Sequence, residues 1–283
     1  MTRTVLIAGA SGHFGKAASA AFLAAGWDVR RYQRGTDMAA AAQGADVIVN
    51  ALNPPKYNNW AQHIPAITAQ VIAAARASGA RVVVPGNVYV YGDIGGVWGP
   101  DTPHRATTRK GKIRAEMEAT YRASGIRTLI LRGGDFIDPS QTGTLFSMMT
   151  AKASIGKLTR FGRADALHAY APVQDMTRAA VALCEVQGLP DFADIPYAGQ
   201  AFSVNDLAAE LARQLGRPVK VSAFPWWAMR LAAPFWELAR ELVEMRYLSD
   251  TSHELDAKPL AALLPDFRGQ TLAQIVAQTL KAG

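Results

Sequence analysis

The chain has 283 residues, 49% of them apolar, which is enough to bury a sizeable core in one large domain or two modest ones. Its formal net charge is +7, but the lysines and arginines stand singly or in pairs, so the excess argues for an anionic small molecule as readily as for nucleic acid, which is not expected as a partner. One cysteine, Cys184, excludes an internal disulfide, and the five histidines (His13, His63, His104, His168 and His253) show no metal-ligand spacing, so a reducing, cytoplasmic setting and no metal are expected.

The N-terminal "MTRTVLIAGAS" runs directly into a strand pattern with no targeting signal in order. Val5 to Ala8 is a continuous apolar run, as in a strand buried on both faces, and "GASGHFG" follows at once. Helical sequence from Lys16 to about Ala25 stops at Gly26, a C-cap residue, and "DVRRYQR" reads as the next strand. The alternation continues with "ADVIVNAL" (45–52), a helix over about 60–78, "ARVVVPG" (80–86), a helix over about 109–124 and "RTLILRG" (127–133). Strands alternating with helices predict an α/β fold, a Rossmann-type doubly wound parallel sheet. Too few residues separate Arg34 from the 45–52 strand for a further strand and helix, so the sheet is expected to be abridged there.

Beyond Asp138 the rhythm loosens. A helix over 173–186 returns to the main body, and a long helical stretch over about 226–247 belongs to a smaller, mostly helical C-terminal lobe. The division expected is residues 1–138 and 163–190 for the dinucleotide-type domain, and 139–162 and 191–283 for the cap. Phe224 to Trp236 is shorter than the ~20 residues of a membrane span and is interrupted by Arg230, so no membrane association is expected. Trp226, Trp227, Phe235 and Trp236 fit a lobe core better than a substrate cage.

Glycines at 9, 12 and 15, after a strand and opening a helix, divide the labour of a phosphate-binding turn. Gly9 permits the turn, Gly12 lets a pyrophosphate approach the backbone, and Gly15 lets helix and strand pack. Ser11, His13 and Phe14 complete that turn, while Asn50, Ala51 and Leu52 end the neighbouring strand at the cleft. The second strand ends Tyr32-Gln33-Arg34-Gly35 with no acid to meet ribose hydroxyls. Arg34 suits a 2′-phosphate, so NADP(H) is favoured and NAD(H) remains possible.

With "GASGHFG", "VYVYGD" after the "RVVVPG" strand and "KGKIRAEME" on the next helix, residues 3 to 190 resemble the extended and atypical short-chain dehydrogenase/reductases. That superfamily includes the sugar-nucleotide epimerases and dehydratases, the NmrA-like proteins and the isoflavone-reductase-like proteins. The resemblance implies a Ser/Thr, Tyr and Lys at the catalytic positions. Lys112 matches the lysine, but Thr108 stands four residues earlier in place of tyrosine, and Asn87 stands at the Ser/Thr position. Threonine cannot ionise in the working range, whereas Asn87 keeps an orienting amide.

Tyr89 and Tyr91, read as alternating strand residues on one side, are either substitute acids or core. His104, Asp101 and Asp135 are further proton donors or turn residues, and His168 and Tyr170 either face substrate or belong to a strand. The leading expectation is an NADP(H)-dependent oxidoreductase acting on a small carbonyl or activated alkene. The alternatives are a catalytically silent NADP(H) sensor and a nucleotide-sugar-type epimerase or dehydratase. From the resemblance, a homodimer is an option.

Overall fold

The structure, a computed structural model, describes residues 2–54 and 59–282. The apolar run at the N-terminus forms β1 (Thr4–Ala8), buried along its whole length, and the glycine turn leads into α1 (His13–Ala24). Then come β2 (Asp28–Arg31), α2 (Met38–Ala41), β3 (Val47–Asn50), α3 (Trp60–Ser78) and β4 (Arg81–Gly86). A 3-10 turn (Val88–Tyr91), β5 (Gly96–Trp98), α4 (Arg109–Ala123), β6 (Thr128–Arg132) and β7 (Asp135–Ile137) follow.

The next elements are α5 (Leu145–Thr150), β8 (Lys157–Arg160), β9 (His168–Pro172), α6 (Val173–Glu185) and β10 (Phe192–Pro196). Among the described residues, six parallel strands form the central sheet in the order β10-β6-β4-β3-β1-β2, a Rossmann-like arrangement. The abridgement expected after Arg34 is present: β2 is the sheet edge, and only the four-residue α2 intervenes before β3.

Alternation along the strands sends side chains to two separate cores. Val5, Ile7, Val49 and Leu131 meet Phe14 and Phe22 of α1 and Met176 and Leu183 of α6 on one face. Leu6, Ile48 and Val84 meet Trp60 and Val71 of α3 and Ile113, Met117 and Tyr121 of α4 on the other. Each such fully buried aliphatic side chain is worth roughly 1.5–3 kcal/mol, and both layers pull helix N-termini toward the same carboxyl edge of the sheet.

The C-terminal part comprises β11 (Gln200–Phe202), α7 (Val204–Leu215), β12 (Lys220–Ala223), α8 (Trp226–Ala232), α9 (Glu237–Met245) and α10 (Tyr247–Asp250). It ends with β13 (His253–Leu255), α11 (Lys258–Leu263) and α12 (Leu272–Ala282). Small sheets β11-β9-β7 and β12-β8 surround a third core containing Ile137, Phe146, Tyr170, Phe202, Leu211 and Ile275, while β13-β5 packs in a fourth with Val88, Val90, Tyr91 and Leu248.

Several features depart from the sequence reading. Strand β10 lies outside the boundary expected at residue 190, yet it pairs along its length with β6 in the main sheet. The helix expected over 226–247 is three helices, separated at Ala233–Trp236, where Pro234 has no N–H to continue a ladder, and again at Arg246. Trp226 packs on Phe161 and Phe224, but Trp227 and Phe235 are 70% and 94% exposed and therefore form neither core nor cage.

Candidate functional site

The three glycines are required for different reasons. Gly9 has φ +90, and a Cβ there would come within 2.5 Å of the Ala51 carbonyl oxygen; a Cβ on Gly15 would overlap the Gly9 carbonyl. At Gly12, by contrast, a Cβ would meet only the Gly9 oxygen at 3.6 Å, an ordinary contact. The backbone above Gly12 is therefore open. No side chain caps α1, so its first amide groups point toward that space without a protein acceptor of that kind.

Ser11 is exposed at the turn, whereas the Phe14 ring is buried in the core and stacked on Phe136. His13 Nδ1 lies 3.0 Å from Oδ2 of buried Asp138. Burial pushes the Asp138 carboxyl up, but hydrogen bonds from Ser140, His13, Gln141 and Gln174 outweigh it and hold the group below its ordinary value. Asp138 thereby ties the segment after β7 to the start of α1.

At the end of β3, the buried Asn50 amide donates to the Tyr121 hydroxyl (2.9 Å), and its Oδ1 accepts from Leu52 N (3.3 Å). Its side chain clamps the strand to α4, and the backbone of Ala51 and Leu52 is what borders the glycine turn. Arg34 is exposed beyond β2 with no hydrogen bond or ion pair among the described residues. The next acid in sequence, Asp37, is the N-cap of α2, accepting from Ala39 N and Ala40 N.

Asn87 follows β4 and caps the 3-10 turn, where its Oδ1 accepts from Tyr89 N (3.1 Å) and its carbonyl accepts from Arg132 (2.7 Å). The segment after it is a 3-10 turn, so strand alternation does not apply and Tyr89 and Tyr91 do not share a side. Tyr91 is buried, and its hydroxyl donates to Gly99 O (3.2 Å); burial pushes its phenol well above the ordinary value. It is a core residue whose hydroxyl is already engaged. Tyr89 is half-buried against the same cluster.

Thr108 is the N-cap of α4, accepting from Gly111 N. Lys112 is exposed, because the inward face of α4 carries Lys110, Ile113, Met117, Glu118 and Tyr121. The lysine on that face is Lys110. It is 3% exposed, its Nζ lies 5.7 Å from the Trp60 ring centroid, and the Arg114 guanidinium lies over the same ring at 4.9 Å. Helical periodicity applied to α4 was the signal that could have separated Lys110 from Lys112.

Behind the site, fully buried Arg132 is bidentate to Glu118 (3.1 and 2.7 Å) and to Asp194 (3.2 and 2.5 Å). His104 stands 3.7 Å from Glu118, but Arg132 occupies the oxygens that would otherwise join it as metal ligands. Nothing in the sequence pattern linked these three positions, which come from β6, α4 and β10. Asp101 belongs to the turn closed by Thr102 N to Gly99 O.

On the lobe side, the Asp135 carboxylate accepts from His168 Nε2 at 2.7 Å, and the His168 ring abuts His253. Tyr170 is buried beside them, stacked on Phe202. The α9–α10 segment reaches the start of α4, where Glu244 accepts from Lys110 N (3.3 Å) and Tyr247 stands beside Thr108. Neither Glu244 nor Tyr247 carried any sequence signal.

No family model and no curated protein matches the chain. Solved structures do. A putative epimerase from Burkholderia cenocepacia is 18% identical, with a TM-score of 0.79 over 99% of this chain and 97% of that one. UDP-glucuronic acid 4-epimerase from Bacillus cereus, in complex with UDP-glucuronic acid and NAD, is 15% identical, with a TM-score of 0.77 over 99% and 98%. UDP-glucose 4-epimerase from Bifidobacterium longum, in complex with NAD+ and UDP, is 15% identical, with a TM-score of 0.76 over 99% and 97%. At these identities the likeness shows a shared fold over essentially the whole chain, sheet and C-terminal lobe together.

Proposed function

We propose that the chain binds a nicotinamide dinucleotide across the Gly9–Gly15 turn and acts on a small polar substrate between the carboxyl edge of the sheet and the C-terminal lobe. The observation that carries this reading is the open backbone at Gly12 between two glycines that cannot bear a Cβ. A bound nicotinamide ring supplies hydride exchange at a carbon carrying a hydroxyl or carbonyl. The protein's own part is positional. Ala51 and Leu52 border the turn, Asn87 offers an amide after β4, and Lys110 is the lysine on the buried face of α4. His13 and the Asp138 hydrogen-bond cluster brace the turn.

The neighbours' complexes with NAD and with UDP or UDP-glucuronic acid support the epimerase or dehydratase reading over simple carbonyl reduction. Arg34 supports NADP(H) as this chain's cofactor, since no carboxylate replaces it after β2. A catalytically silent NADP(H) sensor is the second reading, favoured by Thr108 serving as a helix cap and Tyr91 being locked in the core.

Titration of the purified protein with NADPH and NADH, read by nicotinamide fluorescence, tests the cofactor. Tighter NADPH binding that Arg34→Glu reverses supports the reading, and indifference of both ligands to Arg34→Glu removes the NADP(H) preference. Incubation with UDP-sugars then separates enzyme from sensor by product formation.

A further inference from the structure

Resting on the dinucleotide reading above, we propose that Tyr247, contributed by the C-terminal lobe, is the phenol that exchanges a proton with the substrate oxygen in this cleft. Any interconversion of hydroxyl and carbonyl needs a group that gives and takes that proton. The hydroxyl-bearing residues around the start of α4 can be sorted by what they already bond. Thr108 is an aliphatic alcohol that accepts from Gly111 N, Tyr91 donates to Gly99 O, and the Tyr121 hydroxyl accepts from Asn50.

The Tyr247 hydroxyl differs. It is buried beside Thr108, yet meets no partner at hydrogen-bonding geometry. A buried polar group without a partner costs about 1–3 kcal/mol in a folded chain, so its retention calls for a ligand. Its ring is held by packing on the cluster of Val88, Val90, Trp98 and Leu248, which places the phenol independently of any hydrogen bond. The carboxylates acting on it are Asp93 and Glu244.

In the reducing direction the Tyr247 O–H bond breaks, its proton forms a bond to the substrate oxygen as that oxygen takes up the carbonyl electron pair, and a phenolate remains. A dinucleotide held by the Gly9–Gly15 turn would supply the hydride that the carbon takes up. In the oxidising direction the phenolate takes the proton back.

Burial first pushes the Tyr247 phenol up to about 12, opposed by the neighbouring Thr108 hydroxyl and reinforced by Asp93 and Glu244. A positive charge in the cleft favours the phenolate. The test is tyrosine Cζ NMR on full-length protein across a pH titration, with the Tyr247 resonance assigned by its loss in Tyr247→Phe. Saturating NADP+ or NAD+ is expected to lower the Tyr247 titration by about one unit, a tenfold rise in its ionisation constant. Tyr247→Phe is expected to keep both dinucleotide affinity and Tm.

A Tyr247 resonance indifferent to bound dinucleotide, the same response carried by Tyr89 instead, or a lowered Tm in Tyr247→Phe would overturn the assignment. Failure of wild-type protein to bind either dinucleotide, read separately by nicotinamide fluorescence, would instead overturn the cofactor reading on which it rests.

Discussion

Lys110 and Lys112 stand two residues apart on α4 and face opposite ways: Lys110 is buried over the Trp60 ring, while Lys112 is exposed. Two residues of helix turn a side chain through about 200°, so only one of the pair can lie on the buried face of α4. Lys110→Met keeps the aliphatic contact with Trp60 but removes the charge, and is expected to weaken NADPH binding about tenfold, the scale of one hydrogen bond to a charged group. Lys112→Met is expected to leave it unchanged. Fluorescence titration of both variants checks this, and the opposite ranking would restore Lys112 to the site.

Arg132 is the sole cation within bidentate reach of both Glu118 and Asp194 among the described residues. Arg132→Leu leaves two buried carboxylates without their partner, and is expected to cost about 3–5 kcal/mol in denaturant unfolding. Adding Glu118→Gln and Asp194→Asn removes the stranded charges and should recover most of that loss. The same arginine holds the Asn87 carbonyl, so Arg132→Leu should also impair dinucleotide binding.

His253 makes stability depend on pH. Burial, reinforced by neighbouring His168, lowers its pKa from 6.5 to about 3, while the Thr251 carbonyl and Asp135 oppose the shift. The folded state thus keeps His253 neutral when the unfolded state has already taken up a proton. Its contribution is complete above pH 6.5 and is lost as pH falls from 6.5 toward about 3. Between about pH 7 and about pH 5 this amounts to about 2 kcal/mol. Urea unfolding at the two pH values should show the loss in wild type and a flatter dependence in His253→Phe, which retains the stacking on Trp98.

The main sheet was legible in the sequence because its strands are short apolar runs bounded by turn residues. β3, β4 and β6 lie within the runs read as strands, and β1 begins one residue before the run Val5 to Ala8. The glycine turn was legible for the same local reason. What lay hidden depends on facing rather than on composition. "VYVY" has strand composition, but it coils into a 3-10 turn, so Tyr91 enters the core and its hydroxyl bonds Gly99. Motif spacing selected Lys112, which is exposed, while Lys110 is the lysine on the buried face of α4. Tyr247 lies 139 positions from Thr108, and only the docking of the lobe brings them together.

The most direct test of the central claim uses Gly12→Val with NADPH titration and thermal unfolding in parallel. Gly12 has φ −80 and ψ 171, backbone that valine adopts readily, and its Cβ direction is open. The expected result is a retained Tm with NADPH binding abolished, because the new side chain fills the space that the pyrophosphate needs. Undiminished NADPH binding by folded Gly12→Val protein would contradict the assignment of this turn as the dinucleotide site.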